Sequence, residues 1–409
     1  MNLIASPILR GKNILLLVSG GIAVFRVAEL ARLLIKQGAK VRCVMTKSAE
    51  AFVTPLTFET LTGEAVHTEL FDLIQDSHGI GHIALARWAD AIVVAPATAN
   101  VIARYAHGIA DDLCTTLLLA NDAPVLLAPA MNGVMWQSSA VVRNLEILRG
   151  QGVSMVGPEV GDLACGEHGA GRLSEPATIA VALELVVSAK PLQGQRWVVN
   201  TGATKESWDA TRVLSNRASG LLGMWLARLA AALGATVDLI HACEISLPLP
   251  ATVRTHAVES AEDMLQVSVK VAAAADIFVA AAAVSDYAFE QPVSGKLKRG
   301  ALSNMRVGLR ENCDIVATVA SMVLRPKFVV AFAAESEKHL EHGLGKLKSK
   351  GVDALVANDV SNMASADAAA WWLCGEVIES LPRMSKADLA LVLVQLMMQA
   401  MAKENHHCQ

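Results

Sequence analysis

The sequence has few aromatic residues and no pairs of closely spaced cysteines. Aromatic residues make up 4% of the 409 residues, although hydrophobic residues make up 53%. This balance is typical of α/β layers, in which buried parallel strands are short runs of Val, Ile, Leu and Ala. The 7 cysteines are scattered and form no Cys-x-x-Cys motif. They therefore argue against a disulfide framework or a structural zinc site, and they favour a reducing, cytoplasmic location.

An excess of basic charge and a long apolar segment are also missing. The formal net charge is −4, so no global basic field attracts nucleic acid. The apolar run at residues 14–18 is too short for the core of a signal peptide and is followed by glycine. A second apolar stretch, residues 389–401, is interrupted by Gln395 and Gln399 and falls short of a membrane span. We expect a soluble protein with neither nucleic acid nor membrane as a partner.

The chain instead alternates apolar runs with helical patterns, the rhythm of a parallel, doubly wound sheet. A glycine-rich stretch at residues 157–172 breaks this rhythm and predicts a mobile flap rather than a packed element. Residues 190–195 are the best candidate for a linker, and the pattern restarts at Arg196. The sequence therefore predicts an α/β protein of two doubly wound Rossmann-like domains, residues 1–190 and 191–409.

A short turn, Ser19-Gly20-Gly21, joins the first predicted strand to the first helix. Such a turn can present backbone N–H groups and a helix N-terminus to a phosphate. The motif is not a full G-x-G-x-x-G, and Thr46 stands near the end of the second strand, where a dinucleotide site needs an acidic residue. A simple tight turn is the alternative. If the turn binds a nucleotide, a mononucleotide fits better than a dinucleotide.

Polar residues also follow the next two predicted strands. Thr98 and Asn100 come after one strand and Asn132 after the next. In open α/β sheets ligands bind at these carboxyl ends of the strands. Asn132 can donate to a carboxylate or merely cap the following helix, and the residue types alone leave both interpretations open.

Two further residues of the first half carry possible chemistry. His82 lies near a predicted helix start, where a lone histidine is more often structural than catalytic. Cys165 lies on the glycine-rich flap beside His168 and Arg172, and nearby cationic groups can tune a thiol. A flap cysteine suits proton delivery to an intermediate that the flap encloses.

The first half resembles the homo-oligomeric flavin-containing cysteine decarboxylases, and among them the phosphopantothenoylcysteine decarboxylases. The matching segments occur in family order and cover nearly all of the first 175 residues. They are SGGIA (19–23), GHIALARWAD (81–90), APATAN (95–100), GIADDL (108–113), PAMNGVMW (129–136) and ACGEHGAGR (164–172). Any one of them is a weak signal, but their order makes the set a strong one.

This resemblance implies a flavodoxin-like domain that oxidises the cysteine end of its substrate to a thioaldehyde, from which carbon dioxide leaves. His82 would assist the oxidation, and Cys165 would supply the proton when the product is reduced. Asn132 would hold the substrate carboxylate, with Met135 and Arg172 also binding substrate. The residues implied to bind FMN are Ser19, Gly20, Gly21, Thr46, Thr98 and Asn100.

Three features stand out in the second half. Residues 201–206 follow a predicted strand and could cradle a phosphate as the first turn does. A basic cluster at residues 296–310 is equally well explained as a solvated loop. Lys346 and Lys350 are four residues apart on a predicted helix, so they share a face, where they could also pair with surface carboxylates such as Glu341.

The second half resembles the phosphopantothenate–cysteine ligases in the segments AAAVSDY (281–287), KLK (296–298), AFAAES (331–336) and ANDVS (357–361). The resemblance implies that CTP activates the phosphopantothenate carboxylate and that the amine of cysteine then attacks the acyl-cytidylate. Asn216 and Lys296 would serve this second step, and Arg212 would bind the acidic end of the substrate. Magnesium is expected on the triphosphate. The residues implied to bind CTP are Asp286, Lys296, Phe332, Lys346 and Lys350.

The second half also departs from the ligase pattern, at Ala203, Leu221, Cys313, Ala331 and Ala369. The leading hypothesis is a bifunctional enzyme, and the first alternative is a decarboxylase whose ligase half is a dimerising scaffold. A non-catalytic regulatory flavoprotein is a further alternative, opposed by the presence of both His82 and Cys165. A peptide-cysteine decarboxylase would leave the second domain without a purpose. The resemblance also implies a homo-oligomer with trimeric flavin domains and dimeric ligase domains.

Overall fold

The computed structural model describes residues 5–70, 81–164, 166–297, 306–335, 339–359 and 365–407. The chain divides into two compact units, Met1–Ser188 and Ala189–Gln409. Each unit contains one main, largely parallel sheet with helices on both faces. The prediction of two doubly wound Rossmann-like domains is confirmed. Among the described helices, none combines the length and the apolar character needed to cross a membrane.

The sheet of the first unit has five parallel strands in the order β2-β1-β3-β4-β5. Successive residues of the first strand point into different cores, since Ile14 and Leu16 belong to one apolar cluster and Leu15 and Leu17 to the other. Both faces are therefore buried, which is why these strands are continuous apolar runs. The strands are Asn13–Val18 (β1), Lys40–Met45 (β2), Ala91–Ala97 (β3), Val125–Pro129 (β4) and Ser154–Met155 (β5).

Helices cover both faces of this sheet. Leu30 and Leu183 anchor one layer to the first cluster, and Ile102 and Leu145 anchor the other layer to the second cluster. The helices are Val24–Lys36 (α1), Lys47–Glu50 (α2), Pro55–Thr62 (α3), Gly81–Trp88 (α4), Ala99–Ala106 (α5), Leu113–Leu119 (α6), Gly133–Gln137 (α7), Ser139–Gly150 (α8) and Pro176–Val187 (α9).

The described residues of the glycine-rich stretch form a hairpin with a register shift after Glu159, so the prediction that the stretch is not a packed element was wrong. Strands Glu159–Asp162 (β6) and His168–Arg172 (β7) pair in an antiparallel fashion. The hairpin is fixed to the segment after β4, because the Met131 N–H donates to the Gly171 carbonyl across 2.9 Å. Gly171 has a φ of +145°, and a Cβ there would lie 2.1 Å from the Met131 carbonyl oxygen. The glycines thus permit close backbone contact rather than disorder.

The second unit has an eight-stranded sheet in the order β12-β11-β8-β13-β16-β17-β18-β19, in which the last two pairings are antiparallel. Two small antiparallel pairs, β9 with β10 and β14 with β15, stand outside it. The strands are Arg196–Thr201 (β8), Lys205–Asp209 (β9), Arg212–Ser215 (β10), Thr236–His241 (β11), Val253–Ala257 (β12), Ile277–Ala280 (β13), Tyr287–Phe289 (β14), Leu309–Glu311 (β15), Phe328–Glu335 (β16), Ala354–Asp359 (β17), Asp367–Cys374 (β18) and Val377–Ser385 (β19).

The helices of this unit form two layers. Met264 and Val319 belong to the apolar cluster on one face, with Phe278 and Leu355 of the sheet. The first and last helices of the unit pack against each other and against other strands. The helices are Leu221–Ala232 (α10), Ala261–Ala272 (α11), Ile315–Ala320 (α12), His339–Lys350 (α13) and Lys386–His407 (α14).

The segment after β8 leads into the β9–β10 hairpin, whereas the turn after β1 leads into α1. One local expectation for this half was wrong. The predicted linker is part of the second unit, because Leu192 is buried and its N–H donates to the Leu233 carbonyl. A short apolar anchor within a polar stretch is sufficient to fix such a segment to a fold.

Candidate functional sites

A large cleft of the first unit opens at the carboxyl ends of β1, β3 and β4. It has a volume of about 1170 Å³. Ligands of open α/β sheets bind at this edge. Every residue that the resemblance implies for FMN lines it, namely Ser19, Gly20, Gly21, Thr46, Thr98 and Asn100.

The Ser19 side chain joins two strand ends beneath the cleft. Its hydroxyl donates to the Pro96 carbonyl across 2.6 Å, and the Thr98 N–H donates to the same hydroxyl across 3.3 Å. Ser19 is buried. Since the bonds span β1 and β3, the hydroxyl fixes the turn at the floor of the cleft.

Gly20 lies where the backbone of another segment approaches closely. A Cβ at this position would lie 2.3 Å from the Ser48 Cβ and 2.6 Å from its carbonyl oxygen. Thr46 caps the short α2 beside it by accepting from the Ala49 N–H. Among the described residues, no acceptor takes the backbone N–H of Gly20 or Gly21. The turn therefore offers two unpaired donors beside the cleft, as a phosphate site requires.

Arg172 lines the cleft but is already in an ion pair. Its guanidinium lies 2.5 Å from Glu175, which also accepts from Arg26 of α1. The Glu175 N–H donates to Glu159 of the hairpin. This network connects the hairpin, α1 and the start of α9. Arg26, which also lines the cleft, was missed by the sequence analysis, although it follows the glycine turn by about one helical turn.

Asn132 caps α7 and also contacts the hairpin. Its Oδ1 accepts from the Val134 N–H across 2.8 Å, and its Nδ2 donates to Glu167 across 2.9 Å. The structure confirms the helix-cap interpretation, and the carboxylate that Asn132 contacts here is that of Glu167. Met135 lines the same wall and is 47% exposed.

The two predicted proton-transfer residues are not brought together within the described part of the chain. His82 lies in the first turn of α4 and is not one of the residues lining the cleft. Cys165 lies outside the described residues, although its neighbour Ala164 lines the cleft. Cys114 also lines the cleft, but burial raises the pKa of its thiol, so this cysteine is a packed apolar residue.

The second unit has a cleft of about 640 Å³ at the carboxyl ends of β13, β16 and β17. It brings together most of the residues implied for ligation. Leu221 and Cys313, two of the departures from the ligase pattern, also line it. The predicted residues in the cleft are Asn216, Asp286, Phe332, Lys346 and Lys350.

Asn216 shapes the loop that forms one side of this cleft. Its Nδ2 donates to the carbonyls of Ala283 and Val284 across 3.1 and 3.0 Å. Asn312 donates to the Ser285 carbonyl across 2.9 Å. The backbone carbonyls just beyond β13 thus accept hydrogen bonds from these side-chain amides instead of from a neighbouring strand. Asn312 carried no signal in the sequence, because its partner is 27 residues away.

On the opposite side Lys350 forms an ion pair with Asp314 across 2.8 Å. Asp314 also caps α12 by accepting from the N–H groups of Val316 and Ala317. Burial alone would raise the pKa of this carboxyl, but Lys350 and the two backbone donors lower it below its ordinary value. One positive charge of the cleft is thus partly compensated.

Two residues implied for the ligase lie elsewhere. Lys296 is exposed and does not line the cleft. Arg212 donates to Asp209 across 2.8 Å and stacks 5.1 Å above the Trp208 ring, outside the cleft. Among the other departures, Ala203 and Ala331 are buried, and Ala369 lies at a bulge of β18. Part of the predicted basic cluster, residues 298–305, lies outside the described residues.

The part of the chain that the structure describes holds no group of three or more His, Cys, Asp or Glu side chains suited to a metal. Asp286 and Asp314 both line the second cleft. Two carboxylates fit the way Mg²⁺ usually binds, with few protein ligands and the rest supplied by phosphate and water.

Comparison with known proteins identifies the family. Residues 5–187 match the family model described as Flavoprotein, and residues 192–401 match the DNA/pantothenate metabolism flavoprotein C-terminal domain. The coenzyme A biosynthesis bifunctional protein CoaBC of Vibrio vulnificus (strain YJ016) is 41% identical over 95% of this chain and 97% of its own. The chain belongs to the family of bifunctional coenzyme A biosynthesis proteins.

A relative from a second bacterium agrees with this assignment. The CoaBC protein of Bacillus subtilis (strain 168) is 38% identical over 95% of this chain and 97% of its own. A crystal structure of the C-terminal domain of a CoaBC protein aligns with 53% of this chain and 100% of that one, at 27% identity and a TM-score of 0.45. The matched ranges cover both units, so both clefts lie within segments that the family models match.

Proposed function

We propose that this chain makes 4′-phosphopantetheine in two reactions. The second unit ligates cysteine to 4′-phosphopantothenate with CTP, and the first unit decarboxylates the product with FMN. The observation that carries this proposal is that each unit has a large cleft at the carboxyl ends of its parallel strands, lined by most of the residues implied for that reaction. Membership of a bifunctional family supports two activities in one chain.

The first cleft fits a flavin mononucleotide. The unpaired N–H groups of Gly20 and Gly21 suit its phosphate, while Thr98 and Asn100 line the adjoining wall. About 1170 Å³ exceeds the roughly 300–1,000 Å³ of ordinary ligand pockets. The cleft therefore has room for a cofactor and a substrate together. FMN, when bound, supplies the two-electron chemistry, and the protein orients and encloses the reactants.

The protein's own contribution to decarboxylation is binding and proton transfer. Asn132 offers its amide to the substrate carboxylate, and Met135 covers the same wall. Cys165 donates the proton that completes the product, from a segment adjoining the β6–β7 hairpin. His82 assists removal of hydrogen from the cysteine end. The roles of Cys165 and His82 come from the resemblance, and their variants below test them.

The second cleft fits a nucleotide and an acyl acceptor. Lys346 and Lys350 suit phosphate groups, and Phe332 offers an apolar contact. Asp286, which lines this cleft, would help to hold a Mg²⁺ ion bound to the triphosphate. Lys296 and Arg212 lie outside the cleft in this structure, so their contribution requires that the loops carrying them approach the ligand or the cleft of a second subunit.

A second candidate function keeps only the decarboxylase. Its specific support is that Leu221 stands at the start of α10 in the cleft, where the ligase pattern has lysine. An assay with phosphopantothenate, cysteine, CTP and Mg²⁺ distinguishes the two candidate functions. Release of pyrophosphate supports the bifunctional enzyme, and the absence of release supports a ligase half that serves only as a scaffold. Carbon dioxide release from phosphopantothenoylcysteine tests the first unit separately.

Two variants test the proton-transfer roles. Cys165→Ala should bind FMN and substrate but accumulate a turnover intermediate, and full activity would refute its role as proton donor. His82→Ala should slow the oxidation step while leaving FMN binding intact. A purified protein that binds no added FMN would contradict the proposal for the first unit altogether.

We also propose that the protein is a homo-oligomer, with trimeric flavin domains and dimeric ligase domains. Three large apolar side chains of the first unit are exposed: Phe25 (58%), Val134 (73%) and Val160 (67%). Exposed apolar side chains of this kind are typical of a surface that another subunit covers. Sedimentation of the full chain and of Val134→Asp measures the assembly. A monomer in the unaltered protein would contradict this part of the proposal.

A further inference from the structure

Lys386 is a buried lysine of the second cleft that the sequence analysis missed. It is the first residue of α14 and is 7% exposed. It lines the cleft together with Gly220, Gly223, Asn358 and Ala368. None of the segments that carried the family resemblance contains it.

The amine of Lys386 has no partner within the described residues. Neither an ion pair nor a side-chain hydrogen bond is formed with any of them. Burial lowers the pKa of this lysine, because the charged form is poorly solvated. Buried lysines are almost always paired, and an isolated one is costly. The Oδ1 of Asn358 in the same cleft is likewise buried without a hydrogen-bond donor.

The N-terminus of α10 opens on the same cleft. This helix begins at Leu221 after Gly220, whose φ is +73°. Gly223 lies so close to β8 that a Cβ would lie 2.3 Å from the Thr201 Oγ1. The positive end of the helix dipole therefore faces the cleft, and α10 packs directly against α14.

The other lysines of the cleft are on a different element. Lys346 and Lys350 belong to α13, which packs on β16, β17 and β18, and Lys350 is paired with Asp314. Leu221 leaves the start of α10 without a basic side chain of its own. Among the described residues, Lys386 is thus the basic residue that lines the part of the cleft next to α10.

We propose that Lys386 and the N-terminus of α10 form a phosphate-binding subsite of the second cleft. A phosphoryl oxygen accepts from the ammonium group and from the first N–H groups of α10, which satisfies both. The subsite rests on the proposed ligase function, whose two phosphorylated substrates share this chemistry: the polyphosphate of CTP and the phosphate of phosphopantothenate. Lys386 binds and positions the ligand, and it does not react with it.

Lys386→Met, which keeps the apolar stem, tests the subsite, and Lys386→Arg tests rescue by another cation. Lys348→Met, an exposed lysine of α13, is the matched control. Calorimetric titrations of the full chain with Mg²⁺ present compare CTP, CDP and CMP, and separately phosphopantothenate and pantothenate. Loss of a charge-assisted hydrogen bond predicts that Lys386→Met weakens one phosphorylated ligand about tenfold or more. Lys386→Arg should recover most of that loss, and Lys348→Met should change nothing.

The ligand series identifies which phosphate occupies the subsite. A loss for CTP and CDP but not CMP assigns it to the nucleotide, and a loss for phosphopantothenate but not pantothenate assigns it to the acyl substrate. Dissociation constants within twofold of the unaltered protein for every ligand would overturn the proposal.

Two measurements distinguish failure of the subsite proposal from a folding defect of the variant and from failure of the proposed ligase function. The melting temperature of ligand-free Lys386→Met should equal or exceed that of the unaltered protein, because a buried unpaired charge is removed. If Lys386→Met does not fold, Lys386→Gln takes its place. If the unaltered protein binds no ligase substrate, the ligase function fails, and inorganic pyrophosphate then tests the subsite: binding that Lys386→Met weakens supports it, and binding that is unchanged overturns it.

Discussion

The side-chain amide of Asn132 donates to Oε2 of Glu167 across 2.9 Å. Asn132 caps α7, and Glu167 lies between the two strands of the β6–β7 hairpin. A carboxylate of the protein therefore lies on the amide that we expect to hold the carboxylate of the substrate. A substrate carboxylate that binds the second hydrogen of this amide lies close to Glu167, whose negative charge opposes its binding.

Replacing Glu167 with alanine should strengthen substrate binding by the first unit. The contact is exposed, and exposed polar pairs of this kind contribute about 0.5–1 kcal/mol, so the KM for phosphopantothenoylcysteine should fall about two- to fivefold. Steady-state carbon dioxide release measures this change. Glu146→Ala, an exposed glutamate on α8, should leave the KM unaltered. An increased KM in Glu167→Ala would mean that Glu167 aids binding instead.

Gly20→Ala should reduce flavin binding by the first unit. The new methyl group would meet the Ser48 backbone at 2.5–2.6 Å, so the turn or α2 must shift, and the two donors of the turn shift with it. Since backbone atoms cannot yield as a flexible side chain does, we expect the FMN dissociation constant to rise at least about tenfold, equivalent to 1.4 kcal/mol.

The matched control for this substitution is Gly150→Ala. Gly150 ends α8, and a Cβ there would have no atom within 4 Å. Flavin fluorescence quenching during titration of the apoprotein gives both dissociation constants. Equal values for the two variants would show that the close approach at Gly20 is unimportant for the cofactor.

The sequence predicted the parts of the fold that depend on local pattern. The alternation of apolar runs with helical patterns predicted the parallel, doubly wound sheets, because buried parallel strands are continuous apolar runs and helices connect them. The residues that follow β1 and β3 were expected in one cleft, because the carboxyl ends of parallel strands meet at one sheet edge.

The remainder depends on contacts between distant residues. The β6–β7 hairpin is fixed by Met131, 40 residues before its partner Gly171, and a glycine-rich sequence alone indicates only flexibility. Lys386 lines its cleft because α14 packs on α10, although 165 residues separate it from Leu221. Nothing in the local sequence distinguishes this lysine from an exposed one.

Asp209 should make the second unit more stable above about pH 4 than at lower pH. Burial alone would raise its pKa, but donors from Thr211, Leu297 and Arg212 lower it from 3.8 to about 2. A lowered pKa stabilises the fold fully above the unfolded value of 3.8, and this contribution is lost as the pH falls from about 4 to about 2. The stability difference between the unaltered protein and Asp209→Asn should therefore shrink over that range.

Urea unfolding at several pH values between 5 and about 2, followed by tryptophan fluorescence, measures this dependence. Trp208 is next to Asp209 and reports on the same hairpin. Ser207→Ala, at an exposed position of β9 without a titrating side chain, is the control and should give a difference that is constant with pH. A constant difference for Asp209→Asn as well would contradict the lowered pKa.

Chelation of divalent cations should stop ligation and spare decarboxylation. The described residues of both units contain no group of three or more His, Cys, Asp or Glu side chains that could hold a metal. We expect a magnesium ion at the second cleft to take most of its ligands from the triphosphate and from water, so its binding should depend on CTP and should be readily reversed. Excess EDTA should reduce CTP-dependent pyrophosphate release to background, and added Mg²⁺ should restore it. Carbon dioxide release from phosphopantothenoylcysteine by the same FMN-loaded sample is the internal control.

Asp286→Asn should raise the Mg²⁺ concentration needed for half-maximal ligation, and EDTA-resistant ligation would show that the chain holds its metal in another way.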